Sequence, residues 1–444
     1  MLPEVTVAFH TLGCKVNQSD TARLEDVFIE AGFRPVPFEI DADVYVVNSC
    51  TVTSTASSKS RQLVRAVRRR SPGALVVMMG CYPEVARKRP GTQECAAVSD
   101  LPADLVFGVE SPDVVVAKVR RSLAETSSGV GVSHRSPGPT DRPVVVATRG
   151  CDGGCTYCIV PIARGPLAST PPNAVIEEVR RFVAQGSREV VLAGIHLGAY
   201  GRDLDPPTGL GALLSGAVEI PGNWRLRLSS LEPMDLQPAL LEFILESERI
   251  APHLHLPLQS GSDAVLRRMG RTYSAEEYRD LVDRARSLDP RVGVTTDIMV
   301  GFPGETEADH RRSLEFVREM RFGRLHVFPF SPRPGTVAAE LPGRVHGSVV
   351  RARRDAFLAV AEECALAFHR AQVGREAHVL LETRVSNSSG GDGMTVFRGY
   401  SGNYAPMHVR GEHGDAAGDL VPVAVRSADR EGCWADSLSE TVCR

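Results

Sequence analysis

The chain has 444 residues, of which 43% are hydrophobic and 24% charged, and its formal net charge is −3. These are ordinary values for a soluble protein with room for two or three domains, and the acidic balance excludes a globally basic nucleic-acid binder, so any contact with RNA has to come from locally concentrated basic residues. No run approaches the roughly 18 apolar residues of a membrane helix, and the opening MLPEVTVAFHTLGC lacks the pattern of a secretory signal. A cytoplasmic protein free of the membrane is expected, and in that reducing compartment ten cysteines call for a role other than disulfides.

In chain order, VTVAFHTLG reads as a strand, and Ser19 to Gly32 as a helix with Leu24, Val27, Phe28 and Ala31 on one face. VYVVNSC is a buried strand, KSRQLVRAVRRR a helix and ALVVMMGC a further buried strand. Strands alternating with helices predict a parallel-sheet α/β domain over residues 1–124. Residues 125–142, ETSSGVGVSHRSPGPTDR, lack periodicity and read as a linker.

A second α/β series follows: VVVATRG, a helix near Asn173 to Gln185, EVVLAGIHLG, WRLRLSSLEP, HLHLPLQSG, VGVTTDIMVGFPG and RLHVFPFSP. It predicts a full or partial (β/α) barrel over 143–371, with site residues at the C-terminal ends of its strands, closing in a long helix from about Ser348 to Ala371. Residues 372–444 switch to short strands and turns, a small all-β module. The fold class is thus α/β, with a terminal β-barrel.

Cys151, Cys155 and Cys158 form a C-x3-C-x2-C cluster just after the first barrel strand. Three thiolates can hold three irons of a 4Fe–4S cluster and leave the fourth open to chelate the amino and carboxylate groups of S-adenosylmethionine (SAM). Gly153 and Gly154 give the loop freedom to wrap such a body. Structural zinc, the competing assignment, normally takes four ligands in paired elements, and no fourth Cys or His stands nearby.

Cys14, Cys50 and Cys81 each end a predicted buried strand. In a parallel sheet all strand C-termini face the same way, so these thiols either converge on a second cluster site or are simply three buried cysteines. Cys95, Cys364, Cys433 and Cys443 have no such placement and are assigned structural roles.

The motifs HTLGCKVNQSD, VVNSCTVT, MGCYPE, CTYCIVPIARG, LAGIHLGAYG, LPLQSGSDAVLRRMGRTY, DIMVGFPGETE and FPFSPRPGT, taken in order, resemble the methylthiotransferase family of radical SAM enzymes over nearly the whole chain. The terminal module is similar to the TRAM domain, an RNA-binding barrel. The resemblance implies two 4Fe–4S clusters, one on Cys14, Cys50 and Cys81 and one on Cys151, Cys155 and Cys158, with SAM as methyl and radical source. It also implies an electron donor such as flavodoxin or ferredoxin. HTLGCKVNQ and His196 in LAGIHLGAYG resemble the branch acting on N6-threonylcarbamoyladenosine at position 37 in the tRNA anticodon stem-loop. The other branches act on N6-isopentenyladenosine in tRNA or on an aspartate of a small-subunit ribosomal protein.

Further site candidates follow. Tyr157 matches an aromatic near the SAM adenine, or packs plainly. AGIHLG, with Gly194, stands where the superfamily has a SAM-contacting strand end; Ser230, Glu232 and Gln259 end barrel strands and point at the pocket, with capping or structural hydrogen bonds the alternative for Glu232 and Gln259, and Asp297 is either a pocket residue or a network anchor on its strand. Arg164 suits a carboxylate or phosphate, or a loop salt bridge. Arg61, Arg65, Arg68 and Arg69 fit either tRNA phosphates or a solvated face. Two features depart from the family pattern: Pro166 to Ser169 replace further basic residues, and the module from Gln372 carries seven Arg, no Lys and ten Asp or Glu. Such a module is a poor phosphate binder, and Phe397, Tyr400 or Tyr404 are expected to stack on RNA instead.

Overall fold

The computed structural model describes residues 5–126, 142–385, 395–411 and 414–438. Most of the expected linker, and Cys443, lie outside them.

The first five strands are β1 (Thr6–Thr11), β2 (Arg34–Pro35), β3 (Val44–Ser49), β4 (Leu75–Gly80) and β5 (Leu105–Val106). They form one parallel sheet in the order β2-β1-β3-β4-β5. Strand alternation divides β3 between two cores. Tyr45 and Val47 pack with Val64 and Val67 of the helix Ser54–Arg70, while Val44 and Val46 pack with Leu24 and Phe28 of the helix Lys15–Glu30 on the other face. That second helix starts earlier than its hydrophobic pattern suggests. Gly13, at φ 107°, turns the chain sharply and makes Cys14 the N-cap, and the first turn then buries the polar Asn17, which no apolar periodicity marks.

The central strands are β6 (Val144–Arg149), β7 (Ala168–Ser169), β8 (Glu189–Gly194), β9 (Arg225–Leu228), β10 (His253–His255), β11 (Gly293–Val300) and β12 (Arg324–Pro329). β7 is a short antiparallel flank of β6. The others pair in parallel as β6-β8-β9 and β10-β11-β12, and the Leu226–Ile250 bridge joins the two groups. Among the described residues β12 does not pair with β6, so the barrel is partial. Leu226, Leu228, Leu254 and Leu256 belong to the core shared with the outer helices. Their alternates Arg225, Arg227, His253 and His255 face the lumen.

The helix Gly347–Arg370 packs on β11 and β12 and leads to β13 (Glu376–Val385), β14 (Val396–Ser401), β15 (Pro406–Arg410), β16 (Leu420–Ala428) and β17 (Cys433–Ser437). These close a barrel in the order β13-β14-β15-β17-β16. It is clamped to the foot of the partial barrel by two arginines. Arg225 donates to the carbonyls of His378 (2.9 Å) and Tyr400 (3.0 Å), and Arg227 to those of Ser401 and Gly402 (both 3.0 Å).

Of the aromatic residues expected at an RNA surface, Phe397 is withdrawn from it, whereas Tyr400 and Tyr404 are half-buried at the domain seam. Tyr404 stacks on Tyr400 and on His253, each at 4.6 Å, and Arg142 and Arg227 lie over its ring. Phe397 is buried in the terminal barrel's own core. Cation–π and stacking contacts at the domain seam engage Tyr400 and Tyr404. Cys364 and Cys433 are buried, and Cys95 sits half-buried on the helix Gln93–Ser99. No helix among the described residues is long and apolar enough to cross a membrane.

Candidate functional site

In register, Thr11 lies beside Asn48 and Ser49 beside Gly80, so β1, β3 and β4 end level with one another. Cys14, Cys50 and Cys81 follow those ends. Gly13 lies so close that a Cβ there would come within 2.9 Å of the Cys50 sulfur, and a Cβ on Gly80 would come within 2.4 Å of the Asn48 side chain. The two tight turns therefore need glycine to bring the cysteines in.

Asn17 lies among them, fully buried. Its Nδ2 donates to the carbonyls of Leu12 (2.8 Å) and Ser49 (3.1 Å), and its Oδ1 lies 3.9 Å from the Cys14 sulfur and 3.8 Å from that of Cys81. The central domain reaches across to the same point. Arg164 Nη2 donates to Asn17 Oδ1 (2.5 Å), its Nε approaches the Cys81 sulfur (3.3 Å) and it pairs with Asp20 (2.8 Å). Arg164 Nη1 is buried without a hydrogen-bond partner. Arg149 holds the other oxygen of Asp20. Burial pushes the Cys81 thiol up to about 11 against the pull of Arg164, and the fields of Cys50 and Cys14 raise it further. Burial likewise raises Cys50, which Cys14 also repels. The three sulfurs thus share one electrostatic neighbourhood.

Lys15 follows Cys14. Burial lowers its ammonium pKa to about 8, with Arg227 and Arg142 adding to the effect and Glu189 opposing it.

The second triad is on the loop after β6. The Gly153 N–H donates to the Cys151 sulfur (3.2 Å), the Thr156 N–H to the Met269 carbonyl (3.0 Å) and the Cys158 N–H to the Cys155 carbonyl (3.1 Å). Burial raises the Cys155 thiol and pushes that of Cys158 up to about 12. His196 Nδ1 lies 3.5 Å from the Cys151 sulfur, and its Nε2 meets Asp235 at 2.7 Å. Asp235 in turn accepts from Arg202 at 2.6 Å. The Asp235 hydrogen bond, and then that of Cys151, raises the imidazole to about 10.

Arg271, buried, joins two of the expected site residues: it donates to the Tyr157 hydroxyl (2.6 Å) and pairs with Glu232. Tyr157 also packs edge-on against Phe302. Gln259 stands at φ 67° and bonds through its backbone to Asp297 (2.8 Å) and Met299 (2.9 Å); its Oε1 is buried without a partner. Asp297 meets His255 at 3.3 Å. Ser230 is exposed, and a Cβ on Gly194 would sit 2.2 Å from the Thr148 hydroxyl. Arg61 donates to the Tyr82 hydroxyl (2.7 Å), and Arg68 is taken up by Pro72, Ala74, Pro102 and Asp104. Only Arg65 and Arg69 of that set are exposed.

Among the described residues no three Cys, His, Asp or Glu side chains gather as tightly as one bare metal ion requires. Two sets of three thiols, with N–H donors aimed at them from Arg164 and Gly153, suit the larger body of an iron–sulfur cluster, whose sulfurs accept such bonds.

Residues 145–317 match the Radical SAM superfamily, and residues 6–100 match the uncharacterized protein family UPF0004. The threonylcarbamoyladenosine tRNA methylthiotransferase MtaB of Thermotoga maritima is 34% identical over 98% of this chain and 99% of its own length. Its namesake from Bacillus subtilis is 35% identical over 95% of this chain and 94% of its own. The chain belongs to the radical SAM methylthiotransferase family. A 2-methylthio-N6-dimethylallyladenosine synthase from Pelotomaculum thermopropionicum is also 34% identical, over 90% of this chain and 94% of its own. The radical SAM methyltransferase TsrM of Kitasatospora setae shares the fold, with a TM-score of 0.55 over 76% of this chain and 75% of its own at 13% identity. Membership of the family carries a SAM-binding 4Fe–4S cluster with it.

Sequence reasoning passed over Arg271, Asn17, Asp20 and Lys15 in this methylthiotransferase. Each stands inside a quoted motif, GRTY or GCKVNQSD, but none is of a residue type that by itself signals iron–sulfur chemistry.

Proposed function

We propose that this chain converts N6-threonylcarbamoyladenosine at position 37 of tRNA to its 2-methylthio derivative. The reading rests on one observation above the others: two cysteine triads on adjoining domains, bridged by Arg164, which touches Cys81 and Asn17 of one and ends the short helix that directly follows the loop carrying the other. The names of the MtaB relatives support the substrate. Cys151, Cys155 and Cys158 would hold the SAM-binding cluster, and Cys14, Cys50 and Cys81 a second one. When bound, the clusters and SAM supply the radical that removes hydrogen from C2 of the base and the methylated sulfur that replaces it.

The chain's own residues do the rest. Tyr157, Arg271 and Glu232 form one connected wall beside the SAM-side triad. Gln259, Gly194 and Ser230 stand at the strand ends on which SAM and the base are received, with Asp297 further down β11. His196, held by Asp235, orients Cys151. A flavodoxin- or ferredoxin-type donor supplies the electron, and the anticodon stem-loop is the nucleic-acid partner.

The dimethylallyladenosine synthases of similar identity favour a second reading, thiolation of an isopentenylated base. Mass spectrometry of tRNA nucleosides from a deletion strain, with and without the gene restored, separates the two. Gene-dependent 2-methylthio-N6-threonylcarbamoyladenosine is expected. A change confined to the isopentenyl nucleoside would overturn the substrate assignment and leave the chemistry standing.

A further inference from the structure

The central domain meets the second triad with charges that do not balance. Arg164 ends the short helix Val160–Arg164, and its side chain is 2% exposed. Its Nε lies 3.3 Å from the Cys81 sulfur, Asn17 and Asp20 share its Nη2, and its Nη1 is buried with no partner. Asp20 is not its own, because Arg149 takes the other oxygen. Arg333 arrives from a different place, the turn after β12, where its carbonyl accepts from the Thr336 N–H (3.0 Å) and hydroxyl (2.7 Å). It is 4% exposed. Its Nη2 donates to the hydroxyls of Thr51 (2.7 Å), the residue after Cys50, and Ser57 (3.3 Å), and its Nε is buried with no partner. Beside it, Ser331 accepts from the Ser54 N–H (2.9 Å), which fixes the turn against the first domain.

Arg333 makes no ion pair among the described residues, and Glu94 acts on it only from beyond salt-bridge reach. Three arginines, Arg149, Arg164 and Arg333, therefore meet one carboxylate, Asp20, around the triad. Packing does not account for that excess, since a buried guanidinium without a counter-charge costs stability. It becomes favourable when an anion occupies the triad. Three thiolates outweigh the charge of an oxidised 4Fe–4S core, and reduction adds one more electron.

We infer that Arg164 and Arg333 set the potential of the second cluster, stabilising its reduced form through their charge and N–H donors. The inference rests on the two-cluster reading above. Hydrogen bonds to the sulfurs and nearby charge are the levers by which a protein tunes such a potential. Both arginines belong to the central domain, so the second cluster gains this potential only while the two domains are docked.

The test is a reductive titration followed by EPR, on the full-length, reconstituted chain carrying Cys151→Ala, Cys155→Ala and Cys158→Ala. The second cluster is then the signal observed, with about four irons per chain. In that parent, Arg164→Gln and Arg333→Gln are each expected to lower the midpoint by about 59 mV or more, tenfold in the oxidised-to-reduced ratio. Arg333→Lys keeps the charge and should stay near the parent value. Asp20→Asn removes the carboxylate and should move the midpoint the opposite way, upward, which a general loosening of the seam would not do. A midpoint unmoved in an iron-loaded glutamine variant overturns the assignment of that arginine. Should a glutamine variant hold no iron, Asp20→Asn decides, and a midpoint that stays or falls overturns the inference. A parent without iron overturns the two-cluster reading and the inference with it. A four-iron parent whose midpoint ignores Arg164, Arg333 and Asp20 overturns the inference alone.

Discussion

Glu189→Gln isolates the charge network that fastens the C-terminal barrel to the catalytic domain. Glu189 is the first residue of β8 and wholly buried. It accepts from Arg227 through Nε (2.7 Å) and Nη2 (2.9 Å), from Arg225 through Nε, and faces Arg142 Nε at 3.2 Å. The same arginines hold the four carbonyls of His378, Tyr400, Ser401 and Gly402. Glutamine keeps the volume but removes the charge, leaving buried guanidinium groups without their shared counter-ion. Removing one partner of a buried ion pair costs about 3–5 kcal/mol, which is about two to three and a half powers of ten in the docked-to-undocked ratio.

A chain of several domains need not unfold in one step, so the effect is read locally, by hydrogen–deuterium exchange across residues 399–405. Protection there is expected to fall about a hundredfold or more, while β1, β3 and β4 keep theirs. Glu382→Gln, which removes a partly exposed partner of Arg142, should cost no more than about 1 kcal/mol. The arginines hold the Glu189 carboxyl far below the usual carboxylate range despite its burial. Its folded pKa is depressed, so the contribution is complete above the ordinary value of 4.5 and is lost only as pH falls below it. Unchanged exchange at 399–405 in Glu189→Gln would refute the assignment of the clamp.

Three further outcomes are expected. Cys155→Ala should abolish SAM cleavage, whereas Cys50→Ala should keep uncoupled cleavage without methylthio product and lose about four irons per chain; full product formation by Cys50→Ala would end the two-cluster reading. Arg164→Ala removes charged hydrogen bonds to Asp20 and Asn17 and should lower the first denaturant transition by about 2–3 kcal/mol, with an unshifted midpoint counting against the bridge. In anaerobic, cluster-free protein, peptide mapping after iodoacetamide should find exposed Cys14 labelled first. Cys81, with its thiol at about 11, should react about tenfold faster for each pH unit between 7 and 9; labelling of Cys81 as fast as Cys14 at pH 7 would contradict its burial.

The strand ends that carry Cys14, Cys50 and Cys81 were legible because buried parallel strands announce themselves as apolar runs, and a parallel sheet turns all its C-termini one way. The C-x3-C-x2-C loop was legible from spacing alone. Arg271 and Asn17 were not, because a polar residue acquires its meaning from partners distant in sequence: Arg271 from Glu232 and Tyr157, Asn17 from Arg164. The surroundings of the aromatic residues of the C-terminal barrel were hidden for the same reason. Tyr404 is a residue type that stacks on RNA, and only the docking shows that His253, Tyr400 and two arginines pack against its ring.

The seam between the first two domains therefore carries more than packing. Arg149 and Arg164 leave the catalytic domain to grip Asp20, which belongs to the same helix that begins with Lys15 and is capped by Cys14. One helix thus ties two things together: Cys14 at its N-cap, and the ion pairs that join its first turns to the central domain. Movement of that helix would shift both at once. A site assembled from two domains gains from having a single element set its spacing.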